Sequence, residues 1–148
     1  MENYNVNYNL EKYISKIDNN YSPESIHLCI YKIVNKPKPF IQYLLYKYNE
    51  YNLLTFPILT SINSKIHSVV NKFLNNIFKN VKSEINGYHV YNDTNHIFIN
   101  IDYDDDIVKK TSSDSWWWVT IDEIVNLKHC MEYNIHNHVN NYFLNNQW

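Results

Sequence analysis

Five aspartates crowd one stretch of the chain: Asp102, Asp104, Asp105, Asp106 and Asp114. The Asp102-x-Asp104-x-Asp106 spacing matches the opening of a calcium loop, where alternate carboxylates converge on one hard cation. Such a loop also needs a glycine at its sharp turn and a late bidentate Glu, and neither follows at the needed spacing. The stretch reads as a solvated acidic loop. His129, His136 and His138 offer imidazoles, with Cys130 beside the first. His136 and His138 are two apart, which points them to different faces of a helix, and no cysteine pair completes a zinc set. Neither Cys29 nor Cys130 stands in a recognisable nucleophile setting, and Cys29 falls in an expected strand as a packed residue. There is no Ser-His-Asp spacing, Gly-rich phosphate loop or HExxH motif. The sequence therefore predicts no catalytic residue, no metal and no cofactor.

Two constellations suit binding instead. Lys65, Lys72 and Lys79 recur at steps of seven, which keeps them within about 20° of one another around a helix. They form a basic stripe able to meet a phosphate or an acidic partner, although most such stripes are solvated helix faces. Trp116-Trp117-Trp118 is the unusual local feature. On a strand, Trp116 and Trp118 face one side and Trp117 the other. One side is core; the other is either further packing or an aromatic platform for a base or a partner's side chain.

The chain that carries these residues has 148 of them, a length that favours one domain. Hydrophobic residues make up 45% and aromatics 16%, enough for a real core and incompatible with a disordered chain. The net charge is -2 and no arginine is present, which argues against a DNA or general nucleic-acid binder. Two cysteines are too few for a disulfide scaffold and suit a reducing compartment. Residues 1–10 hold no apolar run of signal-peptide type, and no stretch approaches the roughly 20 apolar residues of a membrane span. Asn, Ile, Tyr and Lys supply about half of the chain, while Ala is missing and Gly occurs once. The favoured residues have AT-rich codons and the missing ones GC-rich codons. This bias reflects genome composition, and it makes the scattered Asn residues filler on polar faces.

Periodicity outlines the elements. Residues 1–25 form a polar appendage with one short helix on Leu10, Tyr13, Ile14 and Ile17; residues 26–148 form a single domain. Ile26, Leu28 and Ile30 alternate as a strand. Pro37 and Pro39 interrupt, and residues 40–47 read as a strand buried on both faces. A turn at 49–52 leads to a short strand over 53–56 that ends at Pro57. The clearest helix spans 61–82, with Val70, Phe73, Leu74 and Ile77 buried. Asn63 or Ser64 caps its start, and Asn86-Gly87 stops the chain after its end. A hairpin of 88–91 and 96–101 turns through Asn92–Asn95. After the acidic loop, 116–120 forms a strand. Thr120 and Glu123 make a capping box that opens a short helix through Leu127. Met131, Ile135, Val139, Tyr142 and Phe143 share one face of a terminal helix. The chain stops at Trp148 directly after this helical pattern, as a fragment of a longer protein would. The order gives an α/β (α+β) domain, a mixed sheet with helices packed on it.

Two local sequences carry a family resemblance. Leu54-Thr55-Phe56-Pro57 resembles the strand that leads into the Pro-Gly-Gly turn of Nudix proteins. Trp118-Val119-Thr120-Ile121-Asp122-Glu123-Ile124 is similar to the tryptophan, short strand and Asp-Glu-Leu helix start found late in many Nudix domains. With the Asn-rich, Arg-free composition, the chain looks like the degenerate Nudix-like proteins of large nucleocytoplasmic DNA viruses, across roughly residues 26–148. The resemblance implies a Nudix-like mixed sheet sandwiched by helices. Active members carry Gly, Arg-Glu and Glu-Glu on the helix after the proline turn, and those carboxylates hold Mg²⁺. Residues 58–83 here contain no Asp, Glu, Gly or Arg, so the resemblance implies a fold without the hydrolase chemistry. The expectation is an inactive binding module acting on a protein partner in the cytoplasm of an infected cell or in a virion. The alternative is a nucleotide or RNA-cap binder that does not hydrolyse its ligand, with a tryptophan of 116–118 on the base and Lys65, Lys72 or Lys79 on phosphate.

Overall fold

The computed structural model describes residues 10–19, 25–34, 40–48, 53–60, 65–78, 81–91, 94–102 and 116–126. The elements run α1 (Leu10–Asp18), β1 (Ser25–Val34), β2 (Phe40–Tyr48), β3 (Leu53–Thr55), β4 (Ile58–Thr60), α2 (Ile66–Ile77), β5 (Ser83–Tyr91), β6 (Thr94–Ile101), β7 (Trp116–Thr120) and α3 (Ile121–Asn126). The expected turn at 49–52, most of the acidic loop, and the terminal helix on Met131 to Phe143 lie outside the described residues; of the turn expected at Asn92–Asn95, the first two residues also lie outside them, whereas Thr94 and Asn95 already pair within β6.

The alternation read in β1 is real, but both of its faces are buried. Ile26, Leu28 and Ile30 join one apolar cluster and Cys29 and Tyr31 a second one. The first cluster receives Tyr13 and Ile17 from α1 and Ile66, Val70, Leu74 and Ile77 from α2, with Leu44 of β2 and Ile97, Ile99 and Ile101 of β6. The second holds Tyr43 and Leu45 of β2, Phe56, Phe98, Val119 and Ile124 of α3. A mixed sheet thus lies between α1 and α2 on one face and α3 on the other.

Hydrogen-bond register explains the sheet's shape. β1 pairs in parallel with β6 over Ile26–Tyr31, so its other edge must serve both β2, at Tyr31–Val34, and β4, at Ser25–His27. In β2, Tyr43 pairs with both β1 and β7, and Tyr46 with both β3 and β7. β1 and β3 therefore share one β2 edge and β7 takes the other. β1 and β2 pair at one end and then diverge, and β3 and β4 fill the gap between them. Pro57 sits at the bend, where its carbonyl accepts a hydrogen bond from the Leu28 N–H at 2.8 Å. The proline lacks an N–H to donate, which suits a residue that only accepts there. The sequence predicts only a proline turn between this strand and the helix from 61; a short strand, β4, intervenes because the open edge of β1 recruits residues 58–60.

The long helix is shorter than its periodicity predicts. It ends at Ile77, and Phe78 is already extended (φ −113°, ψ 153°). Phe78 and Val81 keep helical spacing in the sequence but reach the same cluster from beyond the end of α2. Asn86-Gly87 does not stop the helix. It lies inside β5, at a bulge between Ile85 and Gly87, with Gly87 opposite the buried Phe98. Bulges tolerate glycine because they strain the local backbone. Asn63 and Ser64 lie outside the described residues; the N-cap position is Lys65, which makes no side-chain cap. The cap comes from another element, since the Ile66 N–H donates to Asp18 Oδ1 at 2.8 Å. A carboxylate there answers both an orphan N–H and the positive end of the helix dipole. The expected capping box at α3 forms as drawn. The Thr120 N–H donates to Glu123 Oε1 at 2.8 Å, and the Glu123 N–H to Thr120 Oγ1 at 3.2 Å.

Two stability outcomes follow. Leu74 is fully buried whereas Phe73, expected in the core, is only half-buried at its rim. Leu74→Ala should cost about 2–5 kcal/mol, and Phe73→Ala clearly less, in urea titrations of both variants. Asp18→Ala should cost about 0.5–2 kcal/mol through the lost cap, while Asp18→Asn, which keeps an acceptor oxygen, should recover most of it in the same titrations.

Candidate functional site

β7 is the element that gathers the candidate binding residues, because pairing with β2 fixes which way each tryptophan points. Trp116 is the register partner of Tyr46 and Trp118 that of Leu44, on the α2 face; Trp117 is the partner of Leu45, on the opposite face. Trp116 and Trp118 are half-buried and pack against the first cluster. Trp117 is 46% exposed. The alternation expected from strand geometry is thus what the fold displays, with core on one side and an accessible indole on the other.

The α2 face of this strand is an aromatic wall. The Trp116 ring stands edge-on to Tyr46 at 4.7 Å and to Phe73 at 6.3 Å. Trp118 lies 6.1 Å from Phe78. On the Trp118 ring sits a residue that the sequence reading passed over. Lys32 of β1 is only 2% exposed, and its Nζ lies 4.1 Å from the indole centroid. A buried ammonium gains from an indole face because the ring's quadrupole is negative there. The signal was a lysine within an apolar strand, Ile30-Tyr31-Lys32-Ile33-Val34.

Of the expected lysine stripe, Lys72 is exposed on α2 and Lys65 is exposed at its N-cap, while Lys79 lies outside the described residues. The remaining exposed positions of α2 are His67, Ser68, Asn71, Asn75 and Asn76. This outer face is neutral to basic and carries no carboxylate.

The other chemistry-bearing residues are spread apart. Asp102 is exposed just after β6, whereas Asp104, Asp105, Asp106, Asp114, His129, Cys130, His136 and His138 lie outside the described residues. Cys29 is fully buried, and burial pushes its thiol well above the usual range, against reactivity as a thiolate. Among the described residues, no three His, Cys, Asp or Glu side chains converge as a metal set, and no helix is long and apolar enough to cross a membrane.

No family model matches the chain, and no curated protein sequence matches it. Solved structures do match. An Ap4A hydrolase from C. elegans superposes with a TM-score of 0.52 at 10% identity, over 82% of this chain and 96% of that one. A Listeria monocytogenes protein assigned as a NUDIX hydrolase gives 0.50 at 12% identity, over 83% of this chain and 92% of that one. At such identities the likeness is one of architecture: the chain has a Nudix-like fold, a mixed sheet flanked by helices.

Proposed function

We propose that this chain is a catalytically inactive Nudix-like module that acts by binding a protein partner. One observation carries the reading. In the family it resembles, the helix after the proline turn supplies the carboxylates that hold Mg²⁺; here residues 58–83, which include all of α2, have none. A hard cation bridging phosphates needs oxygen ligands of that kind, and exposed Lys72 would repel it. Trp117 supports a partner surface, since an accessible tryptophan on a strand is the side chain most enriched at binding hot spots. The AT-biased composition supports an origin in a large DNA virus, with action in the infected cell's cytoplasm or in the virion.

A second reading has its own observation. The half-buried rings of Trp116, Tyr46 and Phe73 pack together, and the residue before Phe73 on α2 is the exposed Lys72, a combination suited to a planar base and its phosphates. That version is a nucleotide or RNA-cap binder without turnover.

Three experiments test these readings. Incubation with dinucleoside polyphosphates, nucleoside diphosphate compounds or capped RNA plus Mg²⁺ or Mn²⁺ should release no product above background. Turnover that co-purifies with the chain overturns the inactive reading. Trp117→Ala should leave stability within about 1 kcal/mol and weaken a partner complex by about 2 kcal/mol, roughly thirtyfold. Intrinsic fluorescence of the parent should not respond to nucleotide or cap analogue. Quenching that survives Trp117→Ala but disappears with Trp116→Ala would favour the second reading.

A further inference from the structure

Strand register places a charge beside the accessible indole of β7. Trp117 stands opposite Leu45 of β2, and the next β2 residue on that face is Lys47. The ladder partner of Lys47 on β3 is Leu54, and Leu45 and Leu54 both belong to the second apolar cluster. Lys47 and Trp117 therefore share one face as diagonal neighbours, a relation that spans about 7–8 Å. They are far apart in the chain, and pairing of each strand with its neighbours is what brings them together.

The two ends of this face differ. Val119, the next residue of β7 on the same side, is 2% exposed. Its end is covered by α3, which starts at Ile121 and buries Ile124 in the same cluster. Trp117 and Lys47 lie at the other end, away from α3. Charge is divided in the same way. The exposed carboxylates Asp122 and Glu123 belong to α3, and Glu123 is held to the Thr120 N–H. Half-buried Lys47 brings an ammonium to the opposite end.

An apolar anchor with an ammonium beside it fits a partner that presents an apolar side chain and a carboxylate. In an extended segment, residues two apart share a face and lie roughly 6.6–6.8 Å apart, close to the diagonal from Trp117 to Lys47. A nucleic-acid strand also offers a ring and a negative charge. The net charge of -2, the lack of arginine and the α3 carboxylates on the same face disfavour a polyanion.

We infer that the Trp117–Lys47 face docks an extended protein segment carrying an apolar side chain with an Asp or Glu two positions away. The inference rests on the partner-binding reading and names the chemistry of that partner. Trp117 supplies the desolvated contact. Lys47 supplies preference, because a partly exposed ion pair adds little affinity but discriminates against a like charge.

Selection of a random peptide library on the full chain tests this, with the Trp117→Ala chain selected in parallel. Circular dichroism checks that each chain is folded. Peptides enriched by the parent and not by Trp117→Ala should carry the apolar-x-acidic pattern. A synthetic peptide from that set should lose about two- to fivefold in affinity on Lys47→Gln, and more on Lys47→Glu. Its amide counterpart, with Asn or Gln for the acid, should bind the parent and Lys47→Gln alike. The acid-against-amide comparison on the parent is decisive where a variant does not fold. Trp117-dependent peptides without the acid, or an amide change that has no effect, overturn the inference and leave the partner reading standing. No Trp117-dependent peptide at all overturns both. Binding of oligouridylate that Trp117→Ala and Lys47→Gln each weaken overturns the inference in favour of a nucleic-acid strand.

Discussion

Everything in this fold is arranged around β1, a strand hydrogen-bonded along both edges and buried on both faces. Its parallel pairing with β6 consumes one edge, and β2 and β4 must divide the other. That division forces β1 and β2 apart and draws in Pro57 at the bend. It leaves the far edge of β2 to β7. The positions of the three tryptophans are a consequence: Trp116 and Trp118 turn toward α2 because their partners Tyr46 and Leu44 do. A strand buried on both sides must be apolar almost throughout, and the exceptions in β1 are the informative residues. Lys32 is stacked on Trp118 and His27 on His96.

The N-terminal helix belongs to the same construction. Tyr13 stacks on Tyr88 of β5 at 3.6 Å, and Asp18 caps α2 across 48 residues of sequence. α2 is thereby seated by side chains from outside itself, with its apolar stripe on the sheet and its polar face outward. On an active hydrolase of this fold that outward region would carry the metal-holding carboxylates. Here the sequence offers lysine, histidine, serine and asparagine there.

Local signals proved legible wherever chemistry and spacing are contiguous. The capping box at Thr120 and Glu123, the alternation of Trp116–Trp118, the strands from Ile26 and Phe40, and the short helix on Tyr13 and Ile17 all follow from neighbours in the chain. The mixed helix-flanked sheet was legible too, through element order. What escaped depends on partners far apart in sequence. β4 exists only because β1 has an open edge, and the start of α2 is capped by Asp18. The end of α2 was misplaced because Phe78 and Val81 satisfy helical spacing while packing on the core from beyond the helix end. Gly87 then appeared to be a stop signal, although a bulge in β5 uses it. Of the site residues, the facing of Trp117 was readable from strand period. The side-by-side placement of His27 and His96 could emerge only from register.

The central claim is that α2 presents no divalent-metal site in a fold whose enzymes need one there. It is tested most directly by nuclear magnetic resonance of the ¹⁵N-labelled chain titrated with Mn²⁺ in the presence of a nonhydrolysable dinucleotide. The account predicts no selective paramagnetic broadening of the amides of residues 66–77 relative to the rest of the chain. Saturable broadening confined to α2 and the bend at Pro57 would contradict it, because it would locate a bound cation where the account allows none.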